Sequence, residues 1–402
     1  VVVPIDPLGE APEEAVNYTF KQARSVKRGV CFTLLYASDT DAIHRGVSWL
    51  YNWGIQYPST LEMLPDNAFL DYVPMAWNGS WSADQLRSHK SAHPECTYLL
   101  TFNEPNLTDQ ANLTPDQAAR LWPDLRDVAR ELDLKIVAPA MNYGTLIGYG
   151  DPIRWLDDFF SLIPLSEVDA IAIHCYMNIP AAVRWYVERF RKYGKPIWMT
   201  EFCAWEGSAV TVDAQRRYMC QVVNYFESEP LIERYAWFMY DGLPNRYPYY
   251  ALSSPDGVTA LGRLYLNLSS WDQECWYKVN EVVPAAHYSQ TDPTLLLSPL
   301  SNGGGMVEIS DFSAPQWVEY QVDIGADAHY LLTLDYGAST FSQCYVTLNN
   351  RGLKTLLLPA TGGPAHRLAY HGILDLPAGR HHLRFTMYGG SISMNWWKLT
   401  PE

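Results

Sequence analysis

Two glutamates stand where apolar runs end. Tyr98-Leu99-Leu100-Thr101-Phe102 leads into Asn103-Glu104-Pro105, and Pro196-Ile197-Trp198-Met199-Thr200 leads into Glu201. Both runs are short and continuous, and prolines lie at their margins, the pattern of a strand buried on both faces. A carboxylate that has just left such a layer sits where the core meets solvent. A pair of them has chemistry of its own. Two like charges held close do not both ionise easily, so one pKa rises. That group can give up a proton while the other attacks or activates water. Taken singly, either glutamate could equally cap a helix or sit in a loop; the pairing carries the argument.

The elements that must position them form a rhythm. Strands are expected at 29–35, 47–53, within 69–77, at 98–103, 135–142, 170–176, 196–201 and 235–240, with helices between them. The clearest helix opens at Thr114-Pro115-Asp116-Gln117, a capping box with proline in the first turn. Its stripe is Ala118, Leu121, Trp122, Leu125, Val128, Ala129 and Leu132. Eight strands alternating with helices over about 245 residues match a (β/α)8 TIM barrel. A doubly wound open sheet is the alternative, but no G-x-G-x-x-G follows any strand. In such a barrel the strand C-terminal ends share one face. The residues brought together there are Tyr36, Asn52, Trp53, Trp77, Asn78, Asn103, Glu104, Asn142, His174, Tyr176, Glu201 and Trp237. Glu104 falls on the fourth strand and Glu201 on the seventh. His44, His89 and His93 read as surface residues.

After Ser270 the texture changes. Period-2 runs separated by Gly, Pro, Asn and Asp begin at Trp317 and continue to Leu399, the pattern of an antiparallel β-sandwich. The 402-residue chain is therefore expected to hold two domains: an N-terminal arm and catalytic barrel over 1–272, and a connector and β-sandwich over 273–402.

Composition narrows the partners. The net charge of −15 disfavours nucleic acid and polyanions. No apolar run approaches the ~20 residues of a membrane helix, so no membrane partner is expected. Val1-Val2-Val3-Pro4 is too short for a signal-peptide core, and any leader is expected to be absent or removed. Seven scattered cysteines form no C-x-x-C or His/Cys cluster. No metal, no cofactor and a monomer are expected. The 15 Trp and 27 Tyr exceed ordinary core needs and suit a flat, neutral ligand.

Paired carboxylates among aromatics and amides are the equipment for glycoside hydrolysis. The segments Lys27-Arg28-Gly29-Val30, Trp49-Leu50-Tyr51-Asn52-Trp53, Pro74-Met75-Ala76-Trp77, Phe102-Asn103-Glu104-Pro105-Asn106, Ala138-Pro139-Ala140, Ile173-His174-Cys175-Tyr176, Trp198-Met199-Thr200-Glu201-Phe202 and Ala236-Trp237-Phe238 together resemble glycoside hydrolase family 128. The resemblance spans about 27–268. It implies a retaining endo-β-1,3-glucanase with Glu104 as acid/base and Glu201 as nucleophile, acting on β-1,3-glucan and its oligosaccharides. It gives Asn103 as a contact to the sugar 2-hydroxyl and Tyr176 as the residue orienting Glu201. Trp77 and Trp237 become stacking platforms, and Tyr36, Asn52 and His174 further contacts. Glu104 is expected to be the protonated member at rest. The substrate lies outside cells, so secretion is expected. The alternatives are a non-catalytic β-glucan-binding protein and a glycosidase for another β-linked glucan.

The tail resembles a family 6 carbohydrate-binding module through Trp317-Val318-Glu319-Tyr320, Leu358-Pro359-Ala360-Thr361-Gly362-Gly363, Leu376-Pro377-Ala378-Gly379 and Met394-Asn395-Trp396-Trp397. It departs from that pattern at Ala285-Ala286-His287-Tyr288 and at Pro364, and retains Asn395. Sugar binding and a structural role both follow from this. Sequons occur at Asn17, Asn78, Asn106, Asn112 and Asn267; those at Asn78 and Asn106 are expected to stay bare.

Overall fold

The computed structural model describes residues 8–10, 17–33, 40–63, 70–205, 210–241, 249–300 and 306–402. Tyr36 lies outside the described residues. The chain divides into two compact units. One comprises Val26–Tyr218 and Glu229–Gly262, the other Val1–Ser25, Met219–Ser228 and Arg263–Glu402. The arm at 1–25, expected with the barrel, is counted with the second unit, as is the last part of the helix Val212–Ser228.

The first unit is built on nine parallel strands: β1 (Arg28–Cys31), β2 (Trp49–Tyr51), β3 (Asp71–Tyr72), β4 (Met75–Ala76), β5 (Tyr98–Thr101), β6 (Lys135–Met141), β7 (Ala170–Cys175), β8 (Ile197–Phe202) and β9 (Ile232–Trp237). Their order is β3-β2-β1-β9-β8-β7-β6-β5-β4. The two ends of this path are consecutive in sequence, separated only by Val73-Pro74. Pro74 has no N–H to donate, and the segment changes partners there. Val73 N donates to Leu50 O at 3.0 Å, and Pro74 O accepts from Leu100 N at 2.9 Å. The sheet is therefore curled and barrel-like, and the one expected third strand is two short ones.

Helices connect the strands: Ala83–Ala92, Pro115–Glu131, Pro152–Leu162 and Pro180–Phe190 each return the chain to the next parallel strand. The capping box forms as expected. Thr114 Oγ1 accepts from Gln117 N at 3.2 Å and Gln117 Oε1 accepts from Thr114 N at 2.8 Å. Ala118, Trp122, Leu125, Val128 and Ala129 are the buried face of that helix. His89, expected at the surface, is buried beside Tyr72 and Tyr57, because the helix Ala83–Ala92 turns that residue inward.

Inside the sheet, Tyr51, Met75, Leu100, Ala172 and Trp198 belong to one buried cluster. Toward the strand N-termini, Arg234 lies over Trp198 at 4.5 Å and Tyr98 at 5.0 Å and bonds Asp71 at 2.7 Å. Arginine's planar cation packs against aromatic faces while its N–H groups meet a carboxylate. This plug leaves the opposite end, where the strands finish, for the site.

The second unit holds two sheets, mostly antiparallel. One follows the order Leu8–Glu10, Gly363–Leu376, Ala328–Ala338, Ser391–Pro401, Val307–Ser313, Leu296–Pro299, with Val282–Pro284 also on Ser391–Pro401. The other runs Tyr277–Lys278, Trp317–Ile324, Gly379–Gly389, Ser342–Leu348, Arg351–Leu358, with Gln290–Thr291 also on Trp317–Ile324. Strict alternation along Ser342–Leu348 buries Cys344, Val346 and Leu348 and turns Tyr345 outward, as period-2 patterning requires.

Candidate active site

β5 and β8 carry the two glutamates to one end of the sheet, and a cleft of about 350 Å³ opens there. It is lined by Trp53, Trp77, Asn103, Glu104, Gln110, Tyr176, Glu201 and Phe238. Four residues from the sequence reading are thus brought to the same cleft as both carboxylates: Trp77, Asn103 and Tyr176, with Trp53 from the wider strand-end set.

Each glutamate is held by specific donors. Asn142 Nδ2 donates to Glu104 Oε1 at 3.0 Å, and His174 Nδ1 lies 2.8 Å from the same oxygen. His174 Nδ1 also lies 3.3 Å from Glu201 Oε2. Tyr176 donates its hydroxyl to that Oε2. On the other oxygen, Trp53 Nε1 donates to Glu201 Oε1 at 2.7 Å and Tyr51 OH at 3.2 Å. One ligand atom from each of Glu104, His174 and Glu201 lies within 4.8 Å of the others. A shift in pairing register between Ile173 and His174 sets His174 opposite Glu201 on the neighbouring strand.

This arrangement corrects the expected resting protonation. Burial pushes Glu104 up, but the His174 and Asn142 donors outweigh it and hold its carboxyl below the ordinary value. Burial raises Glu201; His174 opposes this, Glu104's charge adds to it, and the net shift is upward. Burial lowers His174, but both carboxylates reverse that and its pKa is raised. Glu104 is the more acidic of the pair because Asn142, just after β6, and His174, on β7, both bond its Oε1, a pairing of side chains that the strand pattern does not specify.

Other expectations are corrected too. Trp237 is fully buried; its Nε1 donates to Tyr250 O at 2.8 Å and its ring packs on Phe202. It is core and offers no face for stacking. Asn52 Oδ1 accepts from Tyr72 OH and from Gly54 N, so its amide shapes a turn and is not part of the cleft lining. His174 is buried between the glutamates and acts on them, not on substrate. Asn106 is fully buried, its Nδ2 donating to Asn142 O at 2.7 Å.

Trp53 follows Asn52 and has φ 61°, and Glu104 has φ 43°. Both lie in the left-handed region, which costs about 1–3 kcal/mol for a non-glycine residue, and both line the cleft. Two lining residues, Phe238 and Gln110, are not among those expected at the strand ends. Phe238 follows Trp237 by one position and faces Tyr176 and Trp53. Gln110 lies in a loop and gives no periodic signal.

The family described as "Glycosyl hydrolase catalytic core" matches residues 29–265. Fold and site together define the class: an α/β, barrel-like glycoside hydrolase. Among solved structures, the chain resembles a GH128 (subgroup II) endo-β-1,3-glucanase from Pseudomonas viridiflava, with 36% identity and a TM-score of 0.56 over 61% of this chain and 98% of that one. It also resembles a GH128 (subgroup I) endo-β-1,3-glucanase from Amycolatopsis mediterranei, solved as a mutant in complex with laminarihexaose, with 26% identity and a TM-score of 0.50 over 60% of this chain and 99% of that one. Alkali-sensitive linkage protein 1 of Schizosaccharomyces pombe is 28% identical over 260 residues, 60% of this chain and 45% of that protein, so the match spans less than half of that relative. The chain belongs to the glycosyl hydrolase catalytic-core family and to GH128.

Proposed function

We propose that the protein is a retaining endo-β-1,3-glucanase, a (β/α)8 barrel that cleaves internal bonds of β-1,3-glucan by double displacement. The observation that carries this is the approach of Glu104 and Glu201, with oxygens within 4.8 Å across one cleft. Retaining sites hold their carboxyl groups ~5–5.5 Å apart, inverting ones ~6.5–9.5 Å. The GH128 relatives, one bound to laminarihexaose, support the substrate class.

In this reading Glu201 attacks the anomeric carbon and Glu104 protonates the leaving oxygen. Trp53, Tyr51 and Tyr176 hold Glu201's oxygens for attack. Glu104 must be protonated when the bond breaks. His174 meets that need in two steps: its Nδ1 proton passes to Glu104, and the freed nitrogen then takes the proton of Glu201. The result is a neutral acid and an ionised nucleophile with no net proton gained. Once the glycosyl-enzyme forms, Glu104 serves as base for water. Trp77 is the stacking platform. We read the second unit as a β-sandwich of the carbohydrate-binding-module type. Its retained Asn395 is already bonded to Asp335 and Tyr18, which favours a structural role there. We infer a secreted monomer. No helix of the described residues is long and apolar enough to cross a membrane.

The test uses an activated aryl β-laminaribioside. Glu104→Ala should form the intermediate, since a good leaving group needs little protonation. Azide, needing no base, should then speed turnover and give the β-glycosyl azide. Glu201→Ala should give only the α-azide, from the vacated face. An α-configured first product from the wild type would remove the retaining mechanism. Absence of reducing-sugar release from linear β-1,3-glucan would remove the substrate.

A further inference from the structure

Gln110 lies on neither strand nor helix, yet it lines the cleft. The loop after Glu104 folds back on itself to place it. Leu107 N donates to Glu104 O at 2.9 Å, Ala111 N to Asn103 O at 3.0 Å and Leu113 N to Pro105 O at 2.8 Å. The second of these bonds sets Gln110 beside Asn103. There, Gln110 Oε1 accepts from Asn103 Nδ2 at 3.1 Å.

Asn103 is only 4% exposed and lines the same cleft. Its backbone is fixed on both sides, since Asn103 N donates to Trp77 O at 2.8 Å while its carbonyl takes the Ala111 bond. The remaining freedom is rotation of the amide, which exchanges a donor for an acceptor in nearly the same place. In the orientation seen, Gln110 opposes that rotation by accepting from the nitrogen. The oxygen left over, Asn103 Oδ1, is buried and has no partner among the described residues. A buried acceptor without a partner costs stability unless a ligand completes it.

We infer that Gln110 is a positioning residue that locks the Asn103 amide, so that Oδ1 accepts a hydrogen bond from the 2-hydroxyl of the sugar under attack. As the glycosidic bond breaks, positive charge grows on the anomeric carbon and the neighbouring 2-hydroxyl becomes a better donor. The bond to Oδ1 strengthens with it, so the contact favours the transition state over bound substrate. Gln110 acts only through Asn103 in this role. The inference rests on the proposed glucanase activity and adds the residue that sets the polarity of its sugar contact.

The experiment compares kcat/KM for an aryl β-laminaribioside and for its analogue lacking the 2-hydroxyl on the ring attacked. Wild type, Gln110→Ala, Gln110→Glu and Asn103→Ala are measured at neutral pH, with Tm taken for each. Gln110→Ala should lose about tenfold on the hydroxylated substrate, mostly in kcat, and little on the deoxy analogue, the effect of one buried hydrogen bond. Gln110→Glu presents only acceptors when ionised, so it should still hold Asn103 Nδ2 and keep the preference. In an Asn103→Ala background, Gln110→Ala should have no further effect. Equal losses on both substrates would mean a structural role and would overturn the inference. So would an unchanged preference in Gln110→Ala. Gln110→Glu behaving like Gln110→Ala would overturn it as well, because Asn103 would then present its nitrogen. A wild type that cleaves neither glycoside would overturn the proposed function and this inference with it. A wild type that cleaves them, with Gln110 variants that do not discriminate, would overturn this inference alone.

Discussion

Trp53 and Trp237 show how one residue type divides between chemistry and packing. Trp53 gives its indole N–H to the nucleophile candidate, and Trp237 gives its own to a backbone carbonyl in the core. Trp53→Phe keeps most of the aromatic contact and removes the donor. A hydrogen bond to an ionised carboxylate favours the charged form, so its loss raises Glu201 further. In the proposed mechanism Glu201 starts with the proton that ends on Glu104, so the basic limb of the kcat/KM profile, set by loss of that proton, should move up by about one pH unit. An unmoved limb would mean that Trp53 does not govern that ionisation. The cleft and core tryptophans should separate as cleanly. Trp77→Ala should lower kcat/KM about tenfold at unchanged Tm, by loss of an aromatic contact with sugar. Trp237→Ala should cost ~3–5 kcal/mol of stability through the cavity it leaves. Equal Tm values for the two variants would contradict this division.

At the scale of elements, the loops after β5 and β6 are built against each other. Asn106 Nδ2 reaches Asn142 O and, at 3.2 Å, Tyr149 O, while Leu146 N donates to Asn106 O at 2.9 Å. Gly144 lets them come this close. A Cβ there would sit 2.1 Å from Asn106 O, nearer than any real contact. Gly144→Ala must therefore push the β6 loop outward and pull Asn142 away from Glu104. A stability loss of ~1–3 kcal/mol is expected, with kcat reduced more than KM because Glu104 loses a bond that orients its carboxyl. Unchanged Tm and activity would show that the loop yields without moving Asn142.

At the scale of the molecule, the second unit takes residues from three parts of the chain. Within it, Tyr288 OH donates to Asn224 Oδ1 at 2.7 Å, Ser25 Oγ donates to Glu227 at 2.9 Å, and Cys220 approaches Leu297 O. Every proposed catalytic residue precedes Ser270, yet a chain ending there strips the helix Val212–Ser228 of Tyr288 and Leu297. Such a chain should be poorly soluble or unfold at a markedly lower temperature; a monomeric truncate with wild-type Tm and activity would refute this. The same unit carries a pH signature. Burial raises Asp335 from 3.8 to about 6, against the opposing bonds of Asn395 and Trp396. Between those values the folded state binds a proton that the unfolded state does not. Stability from this group is present in full below 3.8 and is lost as pH rises through about 6, a swing of up to ~3 kcal/mol. Asp335→Asn should raise Tm at pH 7, and the gap to wild type should close on acidification. A gap constant with pH would mean that Asp335 titrates normally.

The sequence by itself determined the elements and the two carboxylates. Helical stripes, capping at Thr114 and short apolar runs ending at Glu104 and Glu201 are local patterns, set by periods of 3.6 and 2 that any neighbourhood must respect. The tail strands from Trp317 onward were legible for the same reason, apart from the short ones before it. Tertiary structure decided what no local pattern encodes. Burial chose Trp53 and Trp77 for the cleft and Trp237 for the core, although all three follow strand residues. The donors from β6 and β7 lowered Glu104 below Glu201, because a pKa depends on what surrounds a group and not on what precedes it. Gln110 became part of the site only when its loop folded back onto Asn103. Pro74 broke one expected strand into the two edges of the curled sheet.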